Sequence, residues 1–138
     1  MKTPVFYDTN TLLDLLQSRQ GCEEMKVLVQ LGLYGEIDNC VSVLSMADIA
    51  YVMRKSVPGD QIRSLLSKYA HFFKVLPMDG RNLSSAISAE GPDIEDNMQI
   101  SCAVSQGCRY ILTRNKIHFN GSPVPVYTPA EFLELIAG

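Results

Sequence analysis

Residues 4–10 decide the fold, and they read Pro4-Val5-Phe6-Tyr7-Asp8-Thr9-Asn10. The apolar half of this stretch is typical of a buried strand, which ends at Asp8. Thr9 or Asn10 can then cap a helix that carries leucines at positions 12, 13, 15 and 16. A buried strand that passes directly into a helix is typical of folds in which strands and helices alternate.

The same alternation continues to the end of the chain. Strands are predicted at residues 40–44, 74–77, 110–113 and 124–127, the last at a sheet edge because it contains a proline. Helices are predicted at residues 23–33, 46–55, 60–73, 81–90, 93–105 and 128–136, and Pro92 suits a first helical turn. This order implies a mainly parallel sheet that helices cover on both faces.

The composition is that of a compact chain. It has 138 residues, of which 46% are hydrophobic and 20% are charged. We therefore expect a single domain over residues 1–138 and not a disordered chain. The net charge of −3 argues against a protein that wraps nucleic acid over its whole surface, but it leaves a local basic patch or a basic partner open.

Cysteine spacing and apolar run length indicate the compartment. The four cysteines lack the spacing of a zinc site or a disulfide framework, so we expect reduced and mostly buried thiols. No apolar run is long enough to cross a bilayer, and the first four residues, Met1 to Pro4, lack the apolar stretch of a secretory signal. We expect a cytoplasmic protein with no membrane partner.

Polar stretches lie at four places where an element is predicted to end. They are Asp8-Thr9-Asn10, Ser45-Met46-Ala47-Asp48, Asp93-Ile94-Glu95-Asp96 and Thr113-Arg114-Asn115. Because the carboxyl ends of parallel strands converge on one crevice, these side chains can meet although the sequence separates them. Carboxylates gathered there would make a site for a hard divalent cation. Until the cation binds, repulsion between them would raise at least one carboxylate pKa.

Two of these stretches also have a purely structural interpretation. Asp8 can simply cap a helix, although its place after an apolar strand favours a functional role. The stretch from Ser45 to Asp48 has the pattern of a capping box, and the stretch from Thr128 to Glu131 has the same pattern without any sign of chemistry. Asp48 alone is therefore equally well explained by either role.

The other two stretches are ambiguous as well. Acidic residues at 93, 95 and 96 suit the positive start of a helix, where Asp93 and Asp96 share a face and Glu95 points elsewhere. Asp93 can be a cap that only contacts solvent. Thr113 and Asn115 can hold a bound water or a phosphate oxygen, or they can simply form the turn after a strand.

Four motifs in order resemble the PIN-domain family of toxin ribonucleases, over nearly the whole chain. They are Tyr7 to Leu16, Leu44 to Ile49, Asp93 to Gln99 and Ile111 to Asn115. The family more often has Glu where this chain has Asp48. The resemblance implies a three-layer α/β/α sandwich and a Mg²⁺- or Mn²⁺-dependent endoribonuclease. It also implies the toxin of a toxin–antitoxin pair, a homodimer and a neutralising antitoxin as partner.

The resemblance also implies roles for particular residues. Asp8, Asp48 and Asp96 would be the metal ligands and catalytic carboxylates. Thr113 or Asn115 would position water or phosphate. Supporting roles are open to four further residues, namely Asn10, Asp93, Glu95 and His118.

His118 departs from the family pattern. Relatives often carry an Asp three residues after the asparagine, whereas this chain reads Asn115-Lys116-Ile117-His118. Magnesium prefers oxygen ligands, so a histidine there can favour manganese, act as a proton donor, or simply face solvent.

The placement of charged residues suggests where RNA would lie. Candidate RNA-binding cations are Arg54, Lys55, Arg114 and Lys116, although charged helix faces are more often only solvated.

Three alternatives to the ribonuclease remain open. A haloacid dehalogenase-type phosphatase would use Asp8 as its nucleophile but usually needs an Asp at position 10. A receiver-type signalling domain needs a late lysine that Lys116 matches poorly. A PIN-like binding module with weakened catalysis is the third alternative.

Overall fold

The computed structural model describes residues 2–91 and 93–138. The prediction for Pro92 lies outside the described residues. Five strands form one sheet in the order β3-β2-β1-β4-β5, and every neighbouring pair is parallel. The strands are β1 (Thr3–Tyr7), β2 (Ile37–Ser42), β3 (Lys74–Leu76), β4 (Tyr110–Leu112) and β5 (Val126–Tyr127).

Helices connect the strands and cover both faces of the sheet. They are α1 (Thr9–Leu16), α2 (Cys22–Leu33), α3 (Val43–Met53), α4 (Gly59–Phe72), α5 (Gly80–Ser88), α6 (Ile94–Ser105) and α7 (Pro129–Ala137), with a 3₁₀ helix at Lys116–Phe119. The predicted three-layer α/β/α fold is confirmed, and β5 is the predicted edge strand.

Two apolar clusters, one on each face of the sheet, form the core. Val5 and Tyr7 of β1 pack with Leu12 and Met25 in the first cluster, whereas Phe6 packs with the cluster on the other face. This alternation along β1 is the two-residue period of a strand that is buried on both faces. The four cysteines are free and buried, as predicted. Among the described residues, no helix is long and apolar enough to span a membrane.

The start of α3 differs from the prediction. β2 runs from Ile37 to Ser42 and α3 begins at Val43, so the strand predicted at 40–44 begins three residues too late and ends two residues too late. Ser42 is the N-cap, because its Oγ accepts a hydrogen bond of 3.0 Å from the backbone N–H of Ser45. The capping box predicted at Ser45 is therefore wrong, and Asp48 lies in the second turn of α3. The capping box predicted from Thr128 to Glu131 is confirmed, because each side chain accepts a hydrogen bond from the backbone N–H of the other residue.

The last strand is also shorter than predicted. Val124 is held in a turn, where its N–H donates to Ser122 Oγ over 3.0 Å and its C=O accepts from the same hydroxyl over 2.7 Å. Pairing with β4 therefore begins only at Pro125, whose C=O accepts from the N–H of Ile111.

A buried hydrogen-bonded pair fixes α2 against the sheet. The Tyr7 hydroxyl donates to Asn39 Oδ1 over 2.7 Å, and Asn39 Nδ2 donates to the C=O of Leu28 over 2.9 Å. Gly32 lies so close that a Cβ there would come within 2.5 Å of Asn39 Nδ2. Because both ends of the Asn39 amide are already held, it cannot move aside without losing a buried hydrogen bond.

We expect Gly32→Ala to lower the free energy of unfolding by about 1–3 kcal/mol, the usual cost of overpacking. Gly80→Ala is the matched control, because a Cβ there meets nothing within 4 Å in the described part of the chain and Gly80 also lies in a helix. The control should be neutral or slightly stabilising. Urea denaturation of both variants measures the difference, and equal midpoints would show that the contact with Asn39 is not tight.

Candidate metal-binding active site

Asp8 occupies the end of β1 beside β4. Its backbone N–H donates to the C=O of Leu112 over 2.9 Å, which continues the parallel pairing of these strands. Asp8 is the N-cap of α1 but makes no side-chain cap; instead its Oδ2 accepts a hydrogen bond of 3.0 Å from the buried hydroxyl of Thr113. Burial raises the pKa of Asp8, and the hydrogen bond from Thr113 partly opposes that rise.

Asp48 approaches the same place from α3. Burial, then a hydrogen bond shared with Glu95 and the negative charge of Asp8, raise its pKa to about 7. Its Oδ2 is buried and has no hydrogen-bond partner among the described residues. The sequence placed Glu95 on a different face of its helix from Asp96, but the structure brings Glu95 to Asp48. The exposed Glu95 therefore adds a fourth carboxylate beside the three predicted ones.

Asp96 completes the group from the first turn of α6. Burial, followed by repulsion from Asp93 and Asp8, raises its pKa to about 6. Its Oδ2 is also buried without a hydrogen-bond partner in the described part of the chain, and His118 Nδ1 lies 3.4 Å away. Asp93 is the N-cap of α6 and accepts from the N–H of Asp96 over 3.1 Å. The capping role considered for Asp93 is thus present in the structure.

The remaining catalytic candidates lie beside Asp8. Thr113 is fully buried, and its hydroxyl both donates to Asp8 and accepts a 3.1 Å hydrogen bond from the N–H of Asn115. Thr113 therefore orients Asp8 and does not open onto the crevice. Asn115 is half-buried at the start of the 3₁₀ helix, and Asn10 is half-buried in the first turn of α1.

The cations suggested for RNA binding are partly engaged within the protein. Arg114 Nη1 donates to the buried carboxylate of Asp14 over 2.9 Å, and Lys116 Nζ lies 2.9 Å from an oxygen of Glu131. Arg54 stacks over the ring of Tyr51 at 3.6 Å. Lys55 is exposed just beyond the end of α3.

A buried polar network beneath the carboxylates was missed from the sequence. Gln99 Nε2 donates to Ser45 Oγ over 2.9 Å and to Thr9 Oγ1 over 3.2 Å, and its Oε1 accepts from Ser42 Oγ over 2.7 Å. A hydrogen bond of 2.7 Å between Thr9 and Ser45 closes the group. The network joins α1, α3 and α6, the three helices that begin at or carry Asp8, Asp48 and Asp96. The only signal in the sequence was that Gln99, a polar residue, lies one helical turn after Asp96 on the face that packs inward.

The donor set fits a hard divalent cation. It consists of carboxylate oxygens, two of which are buried without a hydrogen-bond partner among the described residues. Burial and neighbouring acids raise the pKa of Asp48 and Asp96, and a bound cation would favour their charged forms. In the described ranges, no three His, Cys, Asp or Glu side chains already form a complete metal-ligating group. The carboxylates would therefore have to rotate inward to close on an ion.

Comparisons with known proteins agree with this fold and motif order. A family model described as "PIN domain" matches residues 4–117. The chain is 26% identical over 136 residues to Ribonuclease VapC1 of Aquifex aeolicus, and the match covers 94% of this chain and 93% of that protein.

Solved structures with the same fold include two complexes. A DNA-bound VapBC from Salmonella typhimurium matches with a TM-score of 0.69 at 18% identity, over 94% of this chain and 99% of that one. A toxin–antitoxin complex from Klebsiella pneumoniae matches with a TM-score of 0.67 at 22% identity, over 91% and 97%. At these identities the likeness shows the fold.

We expect Asp48→Asn to stabilise the metal-free protein, and more so at pH 8 than at pH 5. The pKa of Asp48 is about 7 in the folded chain against 3.8 ordinarily. The unfolded chain therefore releases this proton first, and the folded state loses stability as the pH rises through that window. Thermal unfolding in chelator at both pH values measures the effect. Glu134→Gln on the exposed side of α7 is the control, and an Asp48→Asn gain that is equal at both pH values would contradict the assignment.

We expect Gln99→Leu to lower the free energy of unfolding by about 1–3 kcal/mol, because three buried hydroxyl groups lose their amide partner. The melting temperature should fall by roughly 3–10 °C. Gln106→Leu, at the exposed end of the same helix, is the control and should change little. If both variants melt alike, the network does not hold the three helices together.

Proposed function

The chain belongs to the PIN-domain family, and on that premise we propose that it is a metal-dependent endoribonuclease that hydrolyses RNA phosphodiester bonds. The observation that carries the proposal is the meeting of Asp8, Asp48 and Asp96, each with a raised pKa, at the carboxyl end of a parallel sheet. The name of the Aquifex relative supports the choice of RNA as substrate. The phosphatase alternative gains no such support.

The proposed cofactor is Mg²⁺ or Mn²⁺, held by Asp8, Asp48 and Asp96. Such an ion supplies an activated water and relieves the negative charge that builds on the phosphate during hydrolysis. The chain's own contribution is placement. Thr113 fixes one oxygen of Asp8, and one oxygen each of Asp48 and Asp96 accepts no hydrogen bond from the residues that the structure describes. Asn115, next to Thr113 in space, would orient water or a phosphate oxygen.

Proton competition would affect how tightly this site binds its ion. Because the pKa of Asp48 is about 7 and that of Asp96 about 6 in the ion-free protein, both carboxyls carry protons for part of the time near neutral pH. The ion must displace those protons, so its apparent affinity should rise with pH across this range.

The biological setting that we propose is a toxin–antitoxin pair in the cytoplasm. The solved structure from Klebsiella pneumoniae with the same fold is a toxin–antitoxin complex, which supports an antitoxin partner. A homodimer is proposed from the family resemblance. Apolar surface for such contacts is present on α2, where Val27 is 45% exposed and Leu33 is 56% exposed.

RNA binding would draw on few cations. Lys55 is exposed, and Arg54 lies beside it with its guanidinium over Tyr51. Arg114 and Lys116 lie on either side of Asn115 in the chain, but acidic partners already take up part of their charge. We therefore propose that the bound ion itself contributes much of the attraction for the scissile phosphate.

We expect cleavage of a pool of structured RNAs to require Mg²⁺ or Mn²⁺, to stop in chelator and to fall by at least about a hundredfold in Asp8→Asn. The substitution keeps the shape of the side chain and leaves an oxygen that accepts from Thr113, so the protein should stay folded. Asp60→Asn, on the exposed first turn of α4, should cut like the native chain.

Two results would reject the proposal. Cleavage that persists in chelator would show that the carboxylates do not act through an ion, and equal cleavage by Asp8→Asn would remove Asp8 from the mechanism. If the chain binds RNA and an ion but does not cut, the weakened binding module is the better description.

A further inference from the structure

His118 stands where it can share an ion with Asp96. Its Nδ1 lies 3.4 Å from Asp96 Oδ2, which is longer than an ordinary charge-assisted hydrogen bond. Two atoms that each bind one metal ion at about 2.1 Å are separated by roughly 3 Å, so the observed spacing suits two ligands of the same ion. The oxygen concerned is buried and has no hydrogen-bond partner among the described residues.

The backbone holds His118 in this place. The N–H of His118 donates to the C=O of Asn115 over 3.0 Å within the 3₁₀ helix. The next residue, Phe119, is buried in the apolar cluster beneath α6 and anchors the helix there. The imidazole itself is 54% exposed, so it can turn towards an ion without disturbing the core.

We propose that His118 provides a nitrogen ligand to the ion at this site and thereby makes the site prefer Mn²⁺ and other first-row transition ions to Mg²⁺. This inference rests on the proposed function, because it requires that Asp8, Asp48 and Asp96 bind a divalent cation. Mg²⁺ strongly prefers oxygen ligands and sheds its waters reluctantly, whereas imidazole nitrogen suits transition ions. His118 is thus a specificity-determining residue of the site.

The first test uses pulsed electron paramagnetic resonance on the Mn²⁺-loaded protein. Coordination by an imidazole gives a ¹⁴N modulation of the Mn²⁺ signal, which does not depend on RNA cleavage. The chain has two histidines, His71 and His118. We expect the modulation in the native chain and in His71→Ala, and we expect it to vanish in His118→Ala.

The second test measures the preference between ions by calorimetric titration. In His118→Asp, the ratio of Mn²⁺ to Mg²⁺ affinity should fall by roughly tenfold or more, which corresponds to about 1.4 kcal/mol. The all-oxygen site should gain Mg²⁺ affinity, because it now also carries an additional negative charge. His71→Asp on α4 is the matched control and should keep the native ratio.

The outcomes separate this inference from the proposed function. The role of His118 would be overturned if the native chain showed no ¹⁴N modulation, or if His118→Asp left the ratio of Mn²⁺ to Mg²⁺ affinity unchanged. The proposed function would still hold in that case, provided that RNA cleavage required an ion and was lost in Asp8→Asn. Nitrogen coordination without any cleavage would keep the role of His118 and reject the ribonuclease. If the native chain binds neither ion, the role of His118 is rejected outright, and the cleavage assay in chelator decides the function independently.

Discussion

Burial of several carboxyl groups in one crevice is the constraint on which the rest of this structure depends, and repulsion among these groups adds to its cost. The parallel sheet brings three helices to the same edge, and these helices place Asp8, Asp48 and Asp96 there. Burial is the largest cause of the raised pKa of each carboxyl. Such a group destabilises the fold in the absence of a counter-charge. Its retention is explained when a cation occupies the crevice, because the ion then restores the lost stability through binding.

The neutral network under the crevice explains how the carboxyl groups are held without a counter-charge from the protein. Gln99, Ser42, Ser45 and Thr9 join the helices through amide and hydroxyl groups alone. An arginine or lysine in the place of Gln99 could hold the same helices, but its charge would neutralise the carboxylates and compete with an ion. Arg114, the residue after the buried Thr113, is paired instead with Asp14 of α1. Neutral hydrogen bonds therefore supply position and leave the negative charge intact.

Local signals made the fold and the three main acids predictable, whereas features set by tertiary packing were not. The passage from β1 to α1 depends on residues within one stretch, and the predicted end of the strand before Asp8 agrees with the structure. The N-cap is Asp8, however, and not the predicted Thr9 or Asn10. The predicted start of α3 was three residues too late, because the apolar run through Val43 and Leu44 is typical of a strand. In the structure the hydroxyl of Ser42 caps a helix that begins at Val43. The approach of Glu95 to Asp48 joins residues on different helices, and Gln99 contacts two elements distant in sequence. No spacing within the chain reports such contacts, because they depend on how the helices pack on the sheet.

The charge balance around the crevice links binding of an ion to binding of RNA. The chain carries a net charge of −3, and the negative charges of Glu95 and Asp8 act on Asp48. Arg114 and Lys116 already have acidic partners. An RNA phosphate that approached the ion-free crevice would meet repulsion at short range, where salt screens it least. On the proposed function, the ion must therefore bind before the phosphate or together with it. A nitrogen ligand such as His118 adds no negative charge to this crowded group, so it can strengthen the hold on a transition ion without deepening the repulsion that RNA must overcome.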